Sequence, residues 1–592
     1  MGKKSGPKVV DERDAVNASG SGSLLVPSFP GLHGRLLRVL PEPVVLLVYG
    51  VVIGVAGGYG AVGFRKLIDL FTWLFFKQGH PLFSGLGRAW VWPLPIIGLL
   101  IVSFIVRTFA PEAKGHGVPE VMAAIAENGG VIRIRVVFVK AFASALNIGS
   151  GGSVGREGPI VQIGSAAGSA LGQWLGLPER RMRTLVACGA GAGIAATFNA
   201  PIGGVMFATE VILGSFALEN FSAIVLASVV SAAIARIYLG NHPSFPIPVY
   251  RMGDFSMYWL YLVTGIAAGL WSFVYIKVLY GTEDWFDARK WPFWVKAFVG
   301  GALIGLMGMW FPQVFGVGYP TVDLALTNHL ALGLLLILLV LKLLAVSVTI
   351  AAGGSGGVFS PGLYMGSMLG GAIGVVFANL LPHSGISPGA LAAVTMAGVF
   401  AGSAQAPVTS IMMLFEMTGD YNIILPLMIT SVVSATVAGT LSKDNIYTLK
   451  LVRRGLDIVR KRQPDRMKSL TVGEALPAHR LSLPADMSVA QAWTQFDKTR
   501  EWFTLVRDAK GTLLGSVARA QVLEAMQRGD IGVSLDTLLP STIAHIDHSA
   551  SLADALEKMN ELSVTYLLVT RNGTPIGVIG SSDIVHAYRG AS

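Results

Sequence analysis

The chain has 592 residues, of which 52% are hydrophobic and only 14% charged, with a mean hydropathy of +0.60. Soluble domains carry about 25% charged residues, so this composition excludes an ordinary soluble enzyme or binding module and indicates a protein of the lipid bilayer. The net charge of +10 does not indicate a nucleic-acid partner, because eight Lys or Arg residues fall between Lys450 and Lys468, directly after the last apolar segment, where the positive-inside rule expects a cytoplasmic flank.

In chain order, residues 1–32 are polar, lack the apolar core of a signal peptide, and have Gly6 where a myristoylation motif needs Ser or Thr. They read as a flexible cytoplasmic N-terminal tail. Residues 33–463 form the membrane domain. The apolar runs at 43–64, 91–109, 221–239 and 330–350 suit a hydrocarbon core about 30 Å thick, which needs roughly 20 helical residues. Other apolar runs are shorter and broken by Gly or Pro. The single cysteine, Cys188, lies in an apolar stretch, permits no intrachain disulfide and reads as packing.

The membrane domain repeats itself. GGSVGREGPIVQIGSAAGSALG (151–172) aligns without a gap to GGSGGVFSPGLYMGSMLGGAIG (353–374) at an offset of 202, and Gly151, Gly155, Pro159, Gly164 and Gly168 are among the identical positions. APIGGVMFATE (200–210) aligns to APVTSIMMLFE (406–416) at an offset of 206, placing Glu210 opposite Glu416. Two related halves with interrupted helices are the architecture of transporters, which bind substrate near mid-membrane.

Three Gly-rich turns lead into helices: GHGVPE (115–120), GREGP (155–159) and GVFSP (357–361). A helix start leaves backbone N–H groups unpaired at the positive end of the dipole, an anion site that needs no charged side chain. Pro119, Pro159 and Pro361 fit the first turn, where a missing N–H costs nothing. Glu157 stands out, because a charge at mid-bilayer costs at least about 2.5–3.5 kcal/mol and therefore faces a pathway or a partner. Its neighbour Arg156 is not that partner, since adjacent helical residues do not face each other.

These motifs resemble those of the CLC family of chloride channels and chloride/proton exchangers: GHGVP, GREGP, GVFSP and a tyrosine, Tyr447, in DNIYTLKL. With FNAPIGGVMF (198–207) and Lys140, the resemblance covers roughly residues 40 to 463. It implies a homodimer in the cell membrane with one anion pathway per subunit, chloride as the transported ion and no required cofactor. Backbone amides of Val358 and Phe359 and the Tyr447 hydroxyl would hold a central anion. Amides of Gly155, Arg156 and Gly158 would form an outer site, and Glu157 would be the gate. His116 stands where chloride-selective members have Ser and some nitrate-preferring members have Pro, and it either contacts the anion or serves as a spacer. Val211 stands where exchangers usually carry a second, proton-relaying glutamate. That absence favours a passive voltage- or pH-gated chloride channel. The alternatives are a chloride/proton antiporter or a transporter of another anion such as nitrate or fluoride. No metal-site or nucleophile motif indicates an enzyme.

From residue 464 the pattern turns to short alternating strands, as at 503–518 and 565–585, in two similar halves of about 468–530 and 533–590. These resemble a tandem of cystathionine-β-synthase (CBS) domains, placed in the cytoplasm with both termini. Asp583 in GVIGSSD matches the family's ribose-binding acid, while Gln521 replaces it in the first half. A structural or dimer-contact role is favoured over an adenine nucleotide. The expected fold class is a mainly α membrane protein with a CLC-type inverted repeat, followed by a soluble α/β CBS pair.

Overall fold

The long apolar runs become helices because a chain without water must satisfy its backbone N–H and C=O groups internally. The computed structural model describes residues 40–456 and 470–590, with His33 and Met467, except at 217, 242, 246–256, 383–386, 477–480, 500, 502, 540–543 and 563. The expected N-terminal tail and the basic flank beyond residue 456 lie outside the described residues. The chain divides into two units, Met1–Leu456 and Asp457–Ser592.

The first half of the membrane unit contains α1 (Glu42–Thr72), α2 (Pro93–Phe109), α3 (Val118–Glu127), α4 (Arg135–Gly149), α5 (Glu157–Leu175), α6 (Glu179–Phe198), α7 (Pro201–Leu213) and α8 (Leu218–Leu239). The second contains α9 (Trp259–Ala288), α10 (Phe293–Trp310), α11 (Tyr319–Leu326), α12 (Leu332–Ala351), α13 (Phe359–Leu380), α14 (Pro388–Ala404), α15 (Pro407–Thr418) and α16 (Ile424–Leu441), and α17 (Thr448–Arg453) follows. Among the described residues, seven helices are long and apolar enough to cross a membrane. Of the others, α5 and α6 are of similar length but less apolar, and several of the rest are short helices opened by glycine or proline.

The glycines shared by the two halves have a common role. α5 crosses α6 and α13 crosses α14 at small residues four apart, Gly164 and Gly168 in one case and Gly366 and Gly370 in the other. A Cβ on Gly168 would lie 2.7 Å from the Leu185 carbonyl carbon, and one on Gly366 would lie 2.6 Å from Met396 Cα. Small residues at this spacing let membrane helices approach backbone to backbone.

A second pair obeys the same symmetry. Lys140 and Lys342 are 202 residues apart and fully buried. Lys140 Nζ donates to the carbonyls of Ala113 (2.9 Å) and Gly115 (2.7 Å), while Lys342 Nζ donates to those of Val314 (3.1 Å) and Gly316 (2.8 Å). Each ammonium holds the chain that enters the next short helix of its half, α3 or α11.

The second unit contains two matching α/β halves. In the first, β1 (Ser482–Pro484) runs parallel to β2 (Phe503–Arg507), which pairs antiparallel with β3 (Leu513–Ala518). β4 (His545–Asp547), β5 (Tyr566–Arg571) and β6 (Thr574–Gly580) repeat that order. Helices α18 (Val489–Thr499) and α19 (Arg519–Arg528) cover the first sheet, and α20 (Leu552–Glu561) and α21 (Ser581–Gly590) the second. Tyr566 Oη donates to the Ser516 carbonyl at 3.1 Å, joining the halves.

The structure explains the mismatch between Asp583 and Gln521. Gly580 N–H donates to Asp583 Oδ2 at 2.7 Å, and Ala518 N–H donates to Gln521 Oε1 at 2.8 Å. Both side chains close the start of the helix they stand on, a task an amide performs as well as a carboxylate. Asp583 Oδ2 is thus engaged at its own helix terminus, in keeping with the structural role favoured for that residue.

Substituting Gly164 or Gly366 by Leu is expected to force the paired helices apart and to lower the thermal midpoint measured in detergent, whereas the same change at exposed Gly63, which has open space beside it, leaves it near wild type. Replacing Lys342 by Met strands two buried carbonyls, at about 1–3 kcal/mol each, and the same measurement is expected to show comparable losses for Lys140→Met and Lys342→Met.

Candidate anion pathway

The site begins at the seam between the halves. Gly155 and Gly357, equivalent in the repeat, pair as an antiparallel bridge: Gly155 N–H donates to the Gly357 carbonyl (2.8 Å) and Gly357 N–H to that of Gly155 (2.7 Å). Reciprocal bonds between equivalent residues are what a two-fold axis passing between them produces, so the axis of the inverted repeat lies here. The GHGVP loop joins the same knot through Gly115 and Ser355. Ser355 is held in turn by Asn147 Nδ2, which donates to its carbonyl at 2.9 Å, and by its own hydroxyl, which donates to the Ala113 carbonyl at 2.8 Å.

From this knot α5 and α13 run apart, starting at Glu157 and Phe359. Their preceding residues, Arg156 and Val358, supply no side-chain cap. The unpaired amides of α13 instead meet the Glu157 carboxylate of the other half. Oε1 accepts from Phe359 N–H (2.6 Å) and Ser360 N–H (3.1 Å), and Oε2 accepts from the Ser360 hydroxyl (2.8 Å). Glu157 is 1% exposed. Its charge is thus solvated by a helix N-terminus rather than by a cation.

Several sequence-predicted residues gather here and others take different roles. Phe359 N–H, expected beside a central anion, is bonded to Glu157. Its ring, at the position Glu157 holds in the first half, packs between Phe198 and Phe400 at centroid distances of 5.1 and 4.3 Å. The Val358 carbonyl accepts from Tyr275 Oη at 2.8 Å. Gly155 and Gly158 are buried at the knot, and a Cβ on Gly158 would collide with the His116 carbonyl. Arg156 points away from Glu157: its Nη2 donates to the Thr197 carbonyl (3.3 Å), and its guanidinium lies 4.9 Å from the Tyr319 ring centroid.

His116 is held between Gly115 (φ +77°) and Gly117 (φ +76°), conformations that only glycine adopts freely. The imidazole is buried beside Tyr447 and Tyr280, at centroid distances of 6.4 and 6.3 Å. Nε2 lies 3.4 Å from Tyr280 Oη, and Nδ1 has no hydrogen-bond partner among the described residues. Tyr447 is buried and positioned through its N–H, which donates to Asn445 Oδ1 at 2.9 Å. Tyr280 Oη donates to the neighbouring Ile446 carbonyl at 2.6 Å.

Val211 is buried in the last turns of α7. Glu210 beside it caps α15 of the other half: Oε2 accepts from Thr409 N–H and Oγ1, both at 2.6 Å, and Oε1 accepts from Val408 N–H at 3.3 Å. Glu416 returns the arrangement, accepting from Ile202 N–H (3.0 Å) and Gly203 N–H (2.7 Å) at the start of α7. These carboxylates therefore lock the halves together.

Sequence reading missed Ser360, Tyr275 and Lys342. Ser360 lay inside the motif GVFSP as a hydroxyl one residue from a helix start, and the repeat offset of 202 applied to Lys140 leads directly to Lys342. Nothing in the sequence marked Tyr275, whose place depends on how α9 packs.

The sequence model of the family described as voltage gated chloride channel matches residues 97–439, and that of the CBS domain matches residues 540–590. The H(+)/Cl(-) exchange transporter ClcA of Yersinia pseudotuberculosis serotype IB (strain PB1/+) is 31% identical over 440 residues, covering 72% of this chain and 91% of that relative. The protein of the same name from Salmonella arizonae is 32% identical over 439 residues, covering 71% and 92%. A slow cyanobacterial Cl−/H+ antiporter of known structure is 26% identical with a TM-score of 0.62 over 70% of this chain and 98% of its own. A eukaryotic CLC transporter, 20% identical with a TM-score of 0.59, shares the fold over 91% of this chain and 97% of its own. With the helix-terminus site, the repeat and these matches in agreement, the chain belongs to the CLC family of voltage-gated chloride channels, followed by a CBS pair.

Proposed function

We propose that this protein exchanges chloride for protons across the membrane, with Glu157 carrying the proton and gating the anion. The carrying observation is the Glu157 carboxylate seated on the Phe359 and Ser360 amides, where a helix start attracts any small anion. Chloride and the ionised carboxylate then compete for one position, so anion entry releases the carboxylate and protonation frees the site. That competition couples the two ions without a second carrier. The exchanger reading replaces the channel favoured on Val211 alone, because relatives spanning most of the membrane unit are named exchange transporters. Val211 is the observation that favours the passive channel as the second reading, since no carboxylate stands at that position. In this reading the protein works as a homodimer with one pathway per subunit, both termini and the CBS pair lie in the cytoplasm, and Tyr447 and His116 line the inner part of the pathway.

In liposomes containing the full chain, a chloride gradient is expected to drive protons against their own gradient. Chloride flux without proton movement would establish the channel instead. Glu157→Gln is expected to abolish proton movement while chloride flux continues and no longer responds to pH. If proton movement survives in that variant, another group carries the proton. Glu210→Ala removes three bonds at the start of α15 and is expected to cost stability, at about 0.5–2 kcal/mol for a lost helix cap, read as a lower thermal midpoint.

A further inference from the structure

Next to the gate is a cavity of about 80 Å³ whose lining includes Arg65, Arg156, Arg236, Asn199, Ser244 and Tyr319. It is absent from the motif reading because its residues come from α1, the GREGP turn, the end of α6, α8 and α11. One water needs about 10–15 Å³ of such space, so the cavity has room for a chloride-sized anion with part of its hydration shell. Three guanidinium groups border it, and among the described residues no carboxylate lines it.

Acids act on two of the arginines from outside the lining, Asp69 on Arg65 and Glu416 on Arg236, and the contacts at the cavity itself are to neutral groups. Arg156 stacks on the Tyr319 ring, and its Nε is buried with no hydrogen-bond partner among the described residues. Arg236 Nε donates to Asn199 Oδ1 at 2.6 Å, and Asn199 takes a left-handed conformation (φ +56°) at the end of α6. Like charges fixed around a small cavity repel, and an anion between them relieves that repulsion.

The cavity also connects to the gate. Tyr319 Oη lies 3.1 Å from Ser360 Oγ, which donates to Glu157 Oε2. A carboxylate only accepts, so the Ser360 hydrogen points to Glu157 and the Tyr319 hydroxyl donates to Ser360. Two hydroxyls thus separate the arginine-lined space from the gate.

We propose that this cavity is an anion-loading site, taking chloride or another monovalent inorganic anion before it displaces the Glu157 carboxylate. The proposal rests on the anion-transport reading above. It adds a position outside the gate that fills while the gate is closed, and it makes Tyr319 and Ser360 the positioning residues between the two.

Two measurements on the full chain test it. In transport from the cavity side, Arg65→Gln and Arg236→Gln are each expected to raise the half-saturating chloride concentration about three- to ten-fold, as loss of a local positive charge weakens anion capture, with little change in maximal turnover. Arg65→Lys is expected to stay near wild type, which shows that the site needs the charge and that the fold tolerates change there. Unmoved half-saturation in both Gln variants overturns the proposal. Independently, crystals grown in bromide are expected to show anomalous density bordered by Arg65, Arg156 and Arg236 in the wild type and none in the double Gln variant. Lack of that density in the wild type overturns the loading site even if chloride transport is normal. Bromide in the cavity of a protein that moves no anion leaves the site standing and removes the transport reading.

Discussion

The membrane unit depends on one constraint: helix starts from opposite halves meet inside it, and their unpaired amides attract negative charge. At the N-terminus of α13 the protein supplies it from the other half, through Glu157 on Phe359 and Ser360. At α15 and α7 it uses Glu210 and Glu416 in the same way. Three carboxylates therefore solve one problem, each reaching across the repeat. The difference lies in what surrounds them. Glu210 and Glu416 lock short helices, whereas Glu157 starts a helix from a glycine-rich knot and stands two hydroxyls from an arginine-lined cavity.

The repeat is what makes these encounters possible. Only glycine allows the Gly155–Gly357 bridge to sit on the two-fold axis while both helices leave it, because a side chain there would fill the space the carboxylate occupies. The glycines at the α5–α6 and α13–α14 crossings bring the backbones close enough to support that knot, and Lys140 and Lys342 gather the carbonyls of the chain entering α3 and α11. A buried ammonium that donates to backbone carbonyls is hydrogen-bonded through the chain itself. The Glu157 contacts and the packing of the seam thus draw on the same backbone groups, so substitutions there affect both.

Much of this was legible because the chemistry resides in backbone and spacing. The motifs GREGP and GVFSP announce helix starts, the offset of 202 announces the symmetry, and Glu157 is conspicuous as a carboxylate between apolar runs. What the sequence hid was partnership across space. Phe359 was expected to serve a central anion with Val358, yet its amide is held by Glu157, and Ser360 supplies the next donors. Asp583 matched a ribose-binding acid although a structural role was favoured for it, and its bond to Gly580, matched by Gln521 and Ala518, is a helix cap in both halves. Val211 argued for a channel because a sequence motif reports where a familiar acid is missing, whereas the relatives spanning the membrane unit are named exchange transporters. Arg65, Arg236 and Tyr319 are distant in sequence and belong to no shared motif, so only the fold brings them to one cavity.

If Glu157 sits where an anion can bind, removing its carboxylate leaves that position to an exogenous anion. This is tested most directly by determining the structure of Glu157→Ala in bromide. An anomalous peak is expected within hydrogen-bonding reach of the Phe359 and Ser360 amides, where the carboxylate had been. An empty or collapsed helix start at α13, with those amides turned to other protein groups, would contradict it.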